Sequence, residues 1–307
     1  MSIQSPESFT VHEELSSGEC FTTYRATHRP TSTVVRLTKM SSDLSASDAF
    51  RAAFRTDAAN LRVQEHVSVL RLLFWGEECG ALFYATEFPD GDSAQSRLDE
   101  GLAISWDEFV DIGWQLASAV QHGHNLGLTH GGLSPASVVI SDTLRVKVAD
   151  FGLHRWIAIG TSTVAEPEKF EQQTRRDLMD LGTLLKALQL SVSSESSSAT
   201  SQSQLVEMQT LLNTLASPPT DFTARDLQGR LGDMLLAGEG ESIDMIDHRK
   251  GQGLSRRSLV DELFDEVEFE SPKSATVRSE SKPEISWRVV LLIVLAALTC
   301  IYLAWRS

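Results

Sequence analysis

Cysteine is scarce in this 307-residue chain: Cys20, Cys79 and Cys300 are odd in number and far apart. That excludes a disulfide framework and a thiolate metal cluster, and it fits a reducing compartment with unpaired thiols. Basic residues are also few, 27 against 42 acidic ones, for a net charge of −15. Nucleic acid demands a basic footprint, so it is excluded as a partner. The opening MSIQSPESFTVHEEL lacks an apolar run after a basic start, so no signal peptide is read there.

What is present begins with a hydrophobic content of 41%, enough for a substantial core. The negative charge is spread unevenly: net −12 over 1–237, −5 over 238–286 and +2 over 287–307. The one long apolar run is VVLLIVLAALTCIYLAW, residues 289–305. As a helix it extends about 26 Å, just short of a ~30 Å hydrocarbon core. Trp287, Tyr302 and Trp305 suit an interfacial aromatic belt. Arg278, Lys282 and Arg288 precede the run and only Arg306 follows it, which puts the large N-terminal part in the cytoplasm. A transmembrane helix over 287–306, a tail anchor, is expected.

Residues 238–286 read as an acidic, Ser-rich flexible linker. Inside the segment 255–271, Leu259, Leu263, Phe264 and Val267 recur at helical spacing, so a partner-docking helix and a weak local helix are both open. Ser255, Ser258 and Ser271 lie near Arg256, Arg257 or Pro272 and are candidates for phosphorylation.

Over residues 9–237 the pattern alternates strands and helices. FTVHEELSSGECFTTYRA (9–26) predicts two strands around a turn, and 33–37 a third. A helix over 47–63 puts Phe50, Phe54, Leu61 and four alanines on one face. Strands over 67–75 and 81–88 follow, joined by GEECG (76–80). The next helix, 105–126, opens with a capping box (Ser105, Glu108) and carries the stripe Phe109, Ile112, Leu116, Ala119, Val120. His122 and His124 are two apart on different helix faces, so no metal centre is read from them with His130. LGLTHGGLSPASVVISDTLRVKVADFGL (126–153) predicts a loop at 130–137, a strand at 138–140 and a second at 144–149 that delivers Asp150-Phe151-Gly152. A Ser-rich loop over 190–204 and helices over 205–215 and 223–236 complete the region.

A hairpin that ends in D-F-G after a loop reading H-G-G-L-S-P-A-S resembles the protein kinases, whose pattern is H-R-D-L-K-P-x-N and then D-F-G. Other pieces are similar in order and spacing. Leu15, Gly18, Tyr24 and Ala26 match the glycine-rich loop, with Ser16 and Phe21 at two of its glycines. Arg36 stands at the phosphate-binding lysine and Asp57 at the helix glutamate that pairs with it, so an Arg36–Asp57 pair is expected. Thr86 falls at the back of the nucleotide pocket, Glu87-Phe88-Pro89 at the hinge, and Glu166-Pro167-Glu168 at A-P-E. Asp177 matches the aspartate that anchors the catalytic loop from below, whereas Asp221-Phe222 stand where A-P-E's arginine partner belongs, so that bridge is expected to be absent.

The resemblance implies an α+β, bilobal protein kinase-like fold over 9–237, with an N-lobe of about 9–88 and a C-lobe of about 89–237. It also implies lost chemistry. Gly132 replaces the base, Ser134 the lysine, Ser137 the metal-binding asparagine, and Gly131 the arginine that reads activation-loop phosphates. The expected function is a membrane-anchored pseudokinase, a cytoplasmic scaffold or allosteric signalling module for a protein partner. The alternative is an atypical active Ser/Thr protein kinase. Gly18, Arg36, Asp57, Glu87 and Asp150 are the nucleotide-binding candidates and Asp150 the metal ligand, for ATP and Mg2+ bound weakly or not at all.

Overall fold

The computed structural model describes residues 8–63, 65–78, 80–161, 169–193 and 201–243. The expected anchor (287–306), the segment 255–271 and Glu166-Pro167-Glu168 lie outside the described residues. Among the described residues no helix is long and apolar enough to cross a membrane.

The N-lobe is an antiparallel sheet of β1 (Phe9–Ser17), β2 (Phe21–His28), β3 (Thr33–Met40), β4 (Leu72–Glu78) and β5 (Ala81–Glu87), in the order β1-β2-β3-β5-β4. Its outer face buries Phe9, Ala26, Val35, Leu37, Phe83 and Ala85. Beyond the single turn α1 (Ser42–Ser45), the helix α2 (Asp48–Val63) covers the other face with Phe50, Phe54 and Ala58. Period-2 alternation in β3 therefore divides Val35 and Leu37 from Arg36, which faces the cleft side.

The C-lobe starts with β6 (Asp92–Ser93) and α3 (Ala94–Asp99), and is built on α4 (Trp106–Asn125). The capping box at Ser105 and Glu108 forms as expected, and Phe109, Ile112, Leu116, Ala119 and Val120 are all fully buried. Against α4 pack α6 (Phe170–Gln189) and, at the C-terminal end, α8 (Ala224–Ile243), while α7 (Gln202–Ala216) packs on α6; together they contribute Leu181, Leu185, Leu212, Leu215 and Leu231 to the core. A three-stranded sheet of β6, β7 (Val138–Ile140) and β8 (Val146–Val148) sits beside them. Gln115 of α4 donates to the Leu144 carbonyl and accepts from Val146 N–H, so the helix fixes this hairpin.

Four expected boundaries move. The strand expected from 67 starts at Leu72, because Val69 bridges to Val148 and Leu70 N–H donates to Val148 O across the lobes. Gly76, Glu77 and Glu78 are not a turn but pair with Phe83, Leu82 and Ala81. The strand expected over 144–149 shrinks to Val146–Val148, since Leu144 closes the turn at φ 60°. Finally, α8 runs to Ile243, six residues into the expected linker.

His66 ties the α2–β4 connection to α4: its Nε2 lies 3.1 Å from Ser118 Oγ, its Nδ1 accepts from Ser68 N–H, and its ring stacks on His122. Burial first, then the neighbouring charges of His122 and Lys147, push its pKa down to about 4. A folded pKa below the unfolded value of about 6.5 means that the unfolded chain binds the extra proton between these values. Stability is therefore expected to fall as pH drops from 6.5 to 4, by on the order of 2 kcal/mol after discounting partial exposure. Urea unfolding across that window should show His66→Gln with a shallower pH slope than wild type; equal slopes would contradict the assignment.

Candidate functional site

Asp177, near the middle of α6, is fully buried and accepts from His130 N–H (2.8 Å) and Gly131 N–H (2.7 Å). His124 Nε2 lies 2.9 Å from the same carboxylate. The loop is thus anchored by its backbone, as expected, and Gly131 adopts φ 76°, a region an L side chain rarely enters. His130 is also fully buried, with Nε2–H donating to Ala149 O (2.9 Å) and its ring edge-on to Phe151. Burial lowers its pKa despite the nearby carboxylates, so it is a neutral structural imidazole.

The positions that the resemblance assigns to chemistry are filled differently. At Gly132 an added Cβ would stand 2.8 Å from His154 Nε2, so the imidazole of an exposed histidine takes up the space of the missing side chain. Ser137 Oγ donates to Ser134 O and accepts from Ser134 N–H, both at 3.0 Å. Neither serine replaces the cation or the metal-binding amide.

Asp150 has φ 63°, which turns its carboxylate toward the N-lobe. Arg36 donates to it bidentately, at 2.5 Å and 2.9 Å, and Tyr84 O–H donates at 2.6 Å. Burial alone would raise the Asp150 pKa, but Arg36 and Tyr84 outweigh it, so the carboxyl sits below the ordinary range and stays charged. Tyr84 is pushed well above its usual value, by burial first and then by the Asp150 charge. Arg36 is raised as well: burial opposes the shift and Asp150 overcomes it.

The expected Arg36–Asp57 pair does not form. Asp57 is buried and is instead held by Arg155 and by Trp156 Nε1–H (2.7 Å). Both belong to α5 (Leu153–Thr161), a helix directly after Gly152 that was not anticipated. Its signal was in the sequence: Leu153, Trp156, Ile157 and Gly160 recur at i, i+3, i+4, i+7. Trp156 is 1% exposed, edge-on to Phe54 and Tyr84. Tyr84, His154, Arg155 and Trp156 are thus the site residues that sequence reasoning missed. No local pattern marks Tyr84.

The remaining candidates are dispersed. Glu87 is bridged by Lys147 Nζ (2.5 Å) and Arg71 N–H, which ties the end of β5 to β8. Gly18 donates its N–H to Phe21 O (2.9 Å), closing the β1–β2 turn. Behind Thr86 lies a cavity of about 20 Å³ lined by Leu61, Leu72, Tyr84, Asp150 and Phe151, room for about one water. Of the five nucleotide-binding candidates, only Arg36 and Asp150 meet. A divalent cation does not fit them: both Asp150 oxygens already accept from protein donors, and the second ligand position is a serine turned onto its own loop.

Residues 9–172 match the family model described as protein kinase domain. The probable serine/threonine-protein kinase SCO3848 of Streptomyces coelicolor is 26% identical over 173 residues, 50% of this chain and 26% of that protein. Serine/threonine-protein kinase PknF of Mycobacterium tuberculosis is 27% identical over 178 residues, 52% of this chain and 37% of that protein. The chain therefore covers only about a quarter to a third of these relatives' length. A solved structure of the Mycobacterium tuberculosis PknI kinase domain, a double mutant, shares the fold with a TM-score of 0.57 at 20% identity, covering 76% of this chain and 100% of that one.

Replacing Asp177 by Asn leaves an amide facing donors that need an anion. The expected cost is on the order of 2–4 kcal/mol, since buried hydrogen bonds to a charged group are lost. Chemical denaturation of Asp177→Asn against wild type measures it; a change below about 0.5 kcal/mol would show that the loop is held by something else.

Proposed function

This chain belongs to the protein kinase domain family, and from that premise we propose that it is a pseudokinase, a scaffold or allosteric module that binds a protein partner without efficient phosphoryl transfer. One observation carries the reading: Gly132 supplies no side chain at the base position, and His154 takes up that space. A positioned base contributes about 10²–10⁴-fold, and glycine contributes none of it. Support comes from Asp150, whose oxygens accept from Arg36 and Tyr84, and from Ser134 and Ser137, which bond to each other. ATP with Mg2+ would meet neither a free metal ligand nor a base, in keeping with weak or absent nucleotide use.

The second part of the proposal is attachment to a membrane through 287–306, with the kinase-like domain on the cytoplasmic side. The apolar run 289–305 and the basic residues Arg278, Lys282 and Arg288 before it support this. The acidic linker would then give the domain reach from the surface while like charge keeps it off anionic lipid.

With the full chain, labelled Mg-ATP and a generic protein acceptor, phosphate incorporation is expected to equal that of Asp150→Asn. Incorporation that Asp150→Asn abolishes would favour the alternative, an atypical active Ser/Thr kinase. On expression in cells, the chain is expected in the alkali-resistant membrane fraction and a 289–305 deletion in the supernatant. Recovery of both in the supernatant would remove the anchor.

A further inference from the structure

Two buried carboxylates, Asp150 and Asp57, are each held by donors from other elements. Asp150 follows β8 in the C-lobe, and its donors are Arg36 on β3 and Tyr84 on β5 of the N-lobe. Asp57 belongs to α2 of the N-lobe, and its donors are Arg155 and Trp156 on α5. The stretch from Asp150 to Trp156 is therefore gripped by the N-lobe at both of its ends. The Tyr84 and Trp156 rings, edge-to-face at 5.9 Å, join the two grips into one buried unit. Asp150 and Arg36 side chains are only 9% and 15% exposed, and Asp57 and Trp156 are buried too.

We propose that this pair of grips is a self-contained interlobe latch, in which the Arg36 guanidinium and the Tyr84 hydroxyl take the place that a divalent cation would hold on Asp150. The inference deepens the reading of the site as catalytically vacated, but stands on its own geometry. A carboxylate that accepts a bidentate guanidinium and a hydroxyl has its charge and most of its lone pairs engaged. A cation would have to compete with the Arg36 guanidinium, which holds both oxygens of a carboxylate that is itself largely buried. The chain thus supplies internally the positive charge between the lobes that a nucleotide-borne metal would bring from outside. One turn of α5 also brings Leu153 and Trp156, at i and i+3, to one face, and both enter the core under α2.

The test uses the full chain, with Mg2+ and Mn2+ alone as probes. Millimolar Mg2+ or Mn2+ is expected to leave the melting temperature of wild type unchanged. Tyr84→Phe and Asp57→Asn are each expected to lower it by roughly 3–8 °C. Both should also speed amide exchange in α5 about tenfold, although Tyr84 lies on β5 and touches α5 only through the latch. Tyr84→Phe is a mild variant that keeps the ring, so the measurement does not depend on an unfolded mutant. A melting temperature raised by Mn2+ in wild type and unresponsive in Asp150→Asn would overturn the latch, because Asp150 would then be a metal ligand. Exchange in α5 that stays unchanged in both Tyr84→Phe and Asp57→Asn would overturn it as well. Phosphate incorporation is measured separately and the pseudokinase reading is carried by Gly132, so failure of the latch and failure of that reading are told apart.

Discussion

Asp177 lies fully buried under the loop that begins at His130, and two backbone N–H groups of that loop end on its carboxylate. Without it those two donors would lose their partner, a cost of about 1–3 kcal/mol each where they are buried. Everything around the site hangs from this contact. It fixes His130, which reaches Ala149 O; that in turn sets the end of β8 and the direction in which Asp150 emerges. The frame is made of backbone hydrogen bonds and buried side chains, none of which requires a side chain at position 132 or a cation at position 134.

Pairing with arginines decides the rest. Two buried carboxylates each take one guanidinium, Asp150 from Arg36 and Asp57 from Arg155. Asp57 is one methylene shorter than a glutamate, and its Oδ2 is met from the α5 side by both Arg155 and Trp156. Asp150, in a left-handed backbone conformation, is turned toward β3 and receives Arg36 in the bidentate geometry that guanidinium favours. A lysine at position 36 could not make that fork, so the replacement matters through shape as well as charge.

Much of the frame was legible in the sequence. The capping box at Ser105 and the stripe along α4 follow from spacing, and spacing is local; the Asp177 anchor and the positions 132, 134 and 137 were read from the resemblance to the protein kinases. The misses have physical causes. Val67, Val69 and Leu70 are β-branched or apolar like a strand, yet Val67 is 72% exposed and Val69 bridges to Val148 across the lobes. The α5 periodicity was present but hidden by its position straight after a motif that usually opens an extended segment. The partner of Arg36 was not legible, since nothing in a linear pattern says which of two carboxylates a third group will occupy first.

The arrangement at Gly132 also bears on substitution there. A side chain added at this position would start 2.8 Å from His154 Nε2, so an aspartate could enter only after the imidazole had swung out toward solvent. Room for a longer side chain at position 132 therefore depends on the rotamer of one exposed histidine. The space beside position 132 is thus a resting place for a neighbour's imidazole, and what that position can hold is set by a side chain twenty-two residues further along the chain.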